Sequence, residues 1–375
     1  MNISQNIFHH DELFTIGVEE EYMLCDPDTG ELINRADEIM DLLEKDLKPR
    51  YSYELILSEI EVNTSVCNSV NMAMKEISYL RNNTRKLGEK LGFRIGISGT
   101  HPTARCKDQS FVQNDSYNWV VEQLSYYAKR NVTFAMHVHI AVKDEHYAIC
   151  IANALRQWIA PLLALSTNSP FLEEENTGMR SARTMQFGVF PRTNIPVRFK
   201  NFSEYKILID NYLSSDTIEK PRQIWWKIRP HMDFGTIEFR ICDVQRSLKN
   251  VEMITAICQA LVYQASEDLD NRCLLESFNM EYLNDGLWKA TRFPLKSQII
   301  DPETNKVCTL VDQINKMKAY IKDALKYLEN QHISEYMDLI LKNGTEGDQQ
   351  LKVYEEAGFE SLKQYLMKSV GYEYK

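Results

Sequence analysis

A chain of 375 residues, 44% hydrophobic and 26% charged, has room for a sizeable core and the composition of a soluble globular protein. Its formal net charge of -10 excludes a general nucleic-acid binder, which needs a basic surface, while leaving room for an acidic pocket that holds cations. Eight cysteines without a CxxC pair, an N-terminus without an apolar signal core and apolar runs too short for a membrane span lead to the expectation of a cytoplasmic protein with reduced thiols.

In chain order, the first expected strand is residues 14–25, "FTIGVEEEYMLC". Alternation puts Glu19 and Glu21 on one face and Val18, Glu20 and Tyr22 on the other. Adjacent carboxylates repel unless a cation lies between them; a solvated edge strand is the alternative reading of one such pair. Residues 55–63 repeat the feature with Glu59 and Glu61, and a helix follows at about 70–91. A strand at 93–98 runs into a Gly/Pro turn with His101 and Arg105, then a helix at about 110–129. In the strand 132–142, His137 and His139 share a face backed by Met136, Val138 and Ile140. A helix at about 145–165 leads to a long irregular segment, 166–187, bearing Arg180, Ser181 and Arg183, and to an expected strand at 186–190. After a helix at 203–213, the run 224–242 carries Trp225, Trp226, Arg229 and His231, with Glu238 and Arg240 aligned on one face. Tryptophans there read first as core packing, although one could stack on a nucleotide base. The remainder, from about 249, reads as helical, at 249–270, 313–342 and 350–368.

Alternating strands divided by helices, with no Gly/Pro-rich linker, predict one α+β domain spanning 1–375, its sheet mainly antiparallel. Paired functional side chains on four separate strands suit metal-assisted handling of phosphates. Magnesium prefers oxygen ligands and bridges carboxylates to nucleotide phosphates, an imidazole can join if manganese replaces it, and Arg240 can offer its fork to a phosphate oxygen.

The motifs "GVEEEYML", "SEIEVNTS", "GTHP", "MHVHIAV", "NSPF" with "NTG..S.R", and "WWKIRPH..FGTIEFRICD" together resemble the type 2 glutamate–cysteine ligase family of carboxylate–amine ligases. The resemblance runs from about 14 to 270 and implies a glutamine-synthetase-like fold, a curved sheet with helices on one face that holds ATP and Mg²⁺ or Mn²⁺. It further implies Glu19, Glu21, Glu59, Glu61, His137 and Glu238 as metal ligands. His139 and Arg240, with Trp226 as the base-stacking candidate, fall to ATP, and Arg183 and Arg229 to the carboxylate substrate or the transferred phosphoryl. Glutamate and cysteine, or another small amine, are the implied substrates, with no nucleic-acid or membrane partner and a homodimer as the assembly. The chain departs from the family pattern at Leu172, Arg180 and Lys227, which bears on substrate detail. Three rivals are a His-x-His metal hydrolase, which needs further histidines and an aspartate downstream, a guanidino kinase, and a non-catalytic nucleotide or amino-acid binder.

Overall fold

Alternation along β1 (Ile16–Cys25) divides its side chains between a helix-covered face and an open one, and in a computed structural model describing residues 13–368 and 370–374 that strand is central to the sheet. The N-terminal reading of residues 1–12 lies outside the described residues. The other strands are β2 (Tyr51–Tyr53), β3 (Glu59–Asn63), β4 (Arg94–Gly96), β5 (Met136–Ala141), β6 (Phe171–Leu172), β7 (Glu175–Asn176), β8 (Ile228–His231), β9 (Thr236–Phe239), β10 (Gln298–Ile300) and β11 (Val307–Thr309). Seven of them form one sheet in the order β2-β3-β1-β5-β9-β8, with β4 beside the end of β1, and every pairing is antiparallel. The other four make two small hairpins. The α+β, glutamine-synthetase-like expectation thus holds, its sheet carrying helices on one face.

Helices follow from caps and periodicity. They are α1 (Ala36–Leu42), α2 (Val70–Leu91), α3 (Asp115–Leu124), α4 (Glu145–Leu155), α5 (Ile159–Ser166), α6 (Ala182–Phe187), α7 (Phe202–Ser214), α8 (Leu248–Asp270), α9 (Met280–Arg292), α10 (Leu310–Tyr320), α11 (Lys322–Tyr327), α12 (Ile333–Asn343) and α13 (Glu346–Lys368). Ser69 starts α2 by accepting from the Met72 amide at 3.2 Å, and Gly92, at φ 73°, ends it in the left-handed region that glycine tolerates best. Apolar residues of β1, β5 and β9, among them Ile16, Val18, Val138, Ile140 and Phe239, pack against Ile77 of α2, Ile151 of α4 and Ile254 and Ile257 of α8. A second cluster joins Tyr22, Leu24, Ile60 and Val62 to Leu362 and Leu366 of α13, so the helical C-terminal third packs on the same sheet. Glu145–Ser166 is long and apolar enough to cross a bilayer, yet its apolar window is buried throughout by the rest of the fold.

The strand expected at 186–190 is instead the end of α6 and the turn after it. Ser181 caps this helix by accepting from the Thr184 amide at 3.2 Å, and the cap outweighs the β-propensity of "TMQFGVF". The run 224–242 is two strands around a turn at 232–235, and 313–342 is three helices. Short elements without a long periodic signal, namely α1, β2 and both small hairpins, are not expected from sequence, nor is α9.

Candidate active site

Strand register brings the paired residues together. Glu21 lies opposite Glu61, and Glu19 opposite both Asn63 and His137. Farther across, His139 faces Glu238, and Glu238 faces Arg229. All of these side chains project from the open face, and Glu59 extends the row beside Met23. Glu20 points the other way, where Arg81 of α2 meets it at 2.6 and 2.9 Å in a fully buried pair.

The open face gathers two sets of possible metal donors that share His137: Glu19, His137 and Glu238, and Glu21, Glu61 and His137, each with donor atoms within 4.8 Å of one another. Nδ1 of His137 lies 2.8 Å from Glu19, and Nε2 of His139 lies 3.3 Å from another oxygen of Glu19. Burial and mutual repulsion push the carboxyls of Glu59 and Glu61 well up, and burial with the neighbouring Glu21 raises Glu54 to about 8. Glu238 is held well below the usual range: burial opposes its charge, but Arg229 at 2.5 Å and Arg240 at 2.6 Å overcome that. Nε2 of His137 and Oε1 of Glu59 are buried without a hydrogen-bond partner among the described residues. Crowded hard oxygens, buried and short of positive charge, fit a divalent cation of the Mg²⁺ or Mn²⁺ kind. Each set has two carboxylates and one histidine, not the histidine-rich set of the hydrolase alternative.

Two hollows flank this row. One, of about 120 Å³, is bounded by Glu21, Glu59, His137, Arg183, Arg240 and Trp225. The other, of about 690 Å³, runs past Glu19, Glu61, His139, Asp233 and Phe234. Trp226, the stacking candidate, does not reach either one; it packs with Phe199 and Tyr205 behind the sheet, and its neighbour Trp225 faces the cavity. One residue of alternation separates the two roles.

Arg183 is aimed into the smaller hollow by Asp243, a residue that sequence reading leaves aside. Buried Asp243 accepts from the Asn168 amide at 2.8 Å, Ser169 Oγ at 2.7 Å and Ser181 Oγ at 2.9 Å, tying both halves of the 166–183 segment to the sheet. The Arg183 guanidinium donates to the carbonyls of Arg240 and Ile241 at 3.1 and 3.2 Å and lies 3.8 Å from Asp243. Glu54 also escapes the sequence reading; an acid inside the apolar run "YELIL" is the available signal. Tyr117 lines the same hollow and donates to the Tyr53 carbonyl at 2.6 Å. Arg180 stands apart, paired with Asp348 of α13 at 2.7 Å.

His101, expected as a loop contact, is a buried brace. Its Nε2 meets the Gly30 carbonyl at 2.9 Å and its Nδ1 accepts from the amides of Thr103 and Ala104. Burial holds it down to about 4 from 6.5, so the native state resists its protonation more than the unfolded chain does. Its linkage cost is absent above pH 6.5 and grows as pH falls towards 4, reaching about 3 kcal/mol. Urea denaturation across this window should show a steeper loss of stability for the wild type than for His101→Gln. Parallel pH profiles would remove His101 from the acid response.

The profile described as glutamate–cysteine ligase family 2 matches residues 15–367. The chain belongs to that family. A family 2 relative from Herpetosiphon aurantiacus, named "Putative glutamate--cysteine ligase 2", is 34% identical over 345 residues, covering 92% of this chain and 90% of its own. Membership makes the chain an ATP-dependent carboxylate–amine ligase. Among solved structures, a glutamate–cysteine ligase from Francisella tularensis in complex with AMP superposes with a TM-score of 0.73 at 12% identity, covering 95% of this chain and 88% of that one. A bifunctional glutathione synthetase from Pasteurella multocida gives 0.71 at 14% identity over 95% of this chain and 53% of that one. At such identities the two structures bear on the fold alone.

Proposed function

We propose that this ligase joins the γ-carboxylate of glutamate to a small amine, cysteine in the first instance, by way of an acyl phosphate. The observation that carries it is the gathering of Glu19, Glu21, Glu61, His137 and Glu238 in two donor sets, with Glu59, His139, Arg229 and Arg240 beside them on one sheet face. A carboxylate oxygen attacks the γ-phosphorus of ATP and ADP departs. The amine then attacks the acyl carbon, phosphate leaves, and the amine proton passes to solvent or phosphate. Converting the carboxylate to a mixed anhydride supplies the leaving group, so the protein has only to position and to neutralise.

In this reading Glu19, Glu21, Glu59, Glu61, His137 and Glu238 hold the divalent ions, which supply charge neutralisation to the phosphates when bound. The larger hollow, beside His139, suits the nucleotide. The smaller suits the donor acid, with Arg183 facing it. Arg240 and Arg229 both pair with Glu238; were that carboxylate to hold a cation, the Arg240 guanidinium would be available to phosphate oxygens, while Arg229 would stay anchored by the Arg222 and Ile224 carbonyls at 2.8 Å and present only its remaining N–H groups. The whole chain serves as one catalytic domain, a homodimer is the assembly the reading carries, and eight unpaired cysteines suit a reducing, cytoplasmic setting.

An ADP-release screen of carboxylates against amines tests the reading. Release should require Mg²⁺ or Mn²⁺, depend on glutamate, and give a hydroxamate when hydroxylamine replaces the amine. ADP release that ignores every carboxylate, or a carboxylate dependence without hydroxamate, would count against the acyl-phosphate route.

A further inference from the structure

Lys227 is not absorbed by the chemistry above. It directly precedes β8, where the Arg240 amide donates to its carbonyl at 3.0 Å, so alternation sets its side chain on the open face with Arg229. Lys227 is 7% exposed and its side chain has no acidic partner among the described residues, its charged neighbour being Arg183. A buried ammonium without a counterion is unusual, because desolvation of the charge goes uncompensated. Burial and the nearby Arg183 hold it down to about 7.

Lys227 lines a cleft of about 540 Å³, within the size of small-molecule sites. The other walls are largely apolar: Met185, Val189, Ile195, Leu287 and Trp288, three of which are more than 40% exposed at the rim. Phe190 is common to this cleft and to the smaller hollow with Arg183, and Thr184 in the cleft wall follows Arg183 directly. An apolar cleft with one uncompensated cation, opening beside the reacting centre, has the chemistry of a site for an amphipathic acid.

We propose that this cleft receives the acceptor, an amine that also carries a carboxylate and an apolar body, with its carboxylate on the Lys227 ammonium. The assignment rests on the ligase reading for the word acceptor, but the carboxylate site itself does not. The acceptor's apolar part lies along Trp288 and Leu287 while its amine reaches past Phe190 towards the activated acid. Lys227 is then a specificity residue and takes no part in phosphoryl transfer.

The test has a binding arm and a turnover arm, both on the full chain. Isocaproate and its neutral amide are titrated while the Trp288 indole signal is followed. Wild type should bind the acid at least ~10-fold more tightly than the amide, the scale of a charge-assisted hydrogen bond. Lys227→Met should abolish that preference and Lys227→Arg should keep part of it. In turnover, leucine should outperform isoamylamine, its counterpart without the carboxylate, and Lys227→Met should raise the leucine KM roughly 10-fold with kcat little changed. Equal binding of acid and amide to wild type, or an undiminished preference in Lys227→Met, overturns the site. Lys227-dependent binding without turnover of any amine upholds the carboxylate site and counts instead against the ligase reading.

Discussion

Replacing Glu21 or Glu61 with glutamine is expected to lower Mg²⁺-dependent ADP formation by roughly 100-fold at limiting metal while the fold persists. The two residues face each other across β1 and β3 and, with His137, form one of the two donor sets. Glutamine keeps the volume and one oxygen but removes the charge that a hard cation seeks. Because burial and its acidic neighbours push the Glu61 carboxyl up, the site already disfavours its charge when no cation is bound, and a neutral glutamine of the same size costs it nothing. Each variant should therefore be as stable as the wild type without Mg²⁺, or more so, and should gain less stability from added Mg²⁺. Denaturation with and without Mg²⁺, run beside the rate assay, separates this from misfolding. Near-normal turnover of both variants at limiting Mg²⁺ would end the metal assignment.

Much of this site is legible in the sequence because β-structure converts spacing into direction. A pair at i and i+2 must share a face, so spacing alone assigns Glu19 with Glu21, Glu59 with Glu61, His137 with His139 and Glu238 with Arg240 to common faces. Their apolar alternates, such as Val18, Val138 and Phe239, indicate which face the helices cover. What stays hidden is whatever depends on partners distant in sequence. Asp243 lies next to Cys242, four residues past the end of β9, and nothing local reveals that Ser169 and Ser181 converge on it. Glu54 lies outside any strand, where no periodicity fixes its direction. Trp225 and Trp226 show the cost of reading composition without parity, since only one of two adjacent rings can face the cavity. At 186–190, aromatic and small residues suggest a strand, whereas the decisive event is the Ser181 cap upstream.

The same parity makes the buried Glu20–Arg81 pair a determinant of the site on the opposite face. Arg81→Met is expected to destabilise the chain by about 3–5 kcal/mol, because Glu20 would be left charged and uncompensated among the core side chains. Arg81 also donates to the carbonyls of Gln245, Arg246 and Gly371 at 2.7, 2.8 and 3.0 Å, so it fastens α2 to the strand and to the C-terminal end. Pairing the change with Glu20→Leu removes the stranded charge and should recover part of the loss, but not all, since those carbonyls lose a donor in either variant. Equal stability of the single and double variants in urea denaturation would show that the pair carries no such weight. A slip of β1 by one residue would aim Glu20 into the cavity and press Glu19 and Glu21 against the helices, with one arginine to meet two carboxylates. The pair therefore penalises the alternative register as well as stabilising the native one, and the single variant should weaken Mg²⁺ binding even where it remains folded.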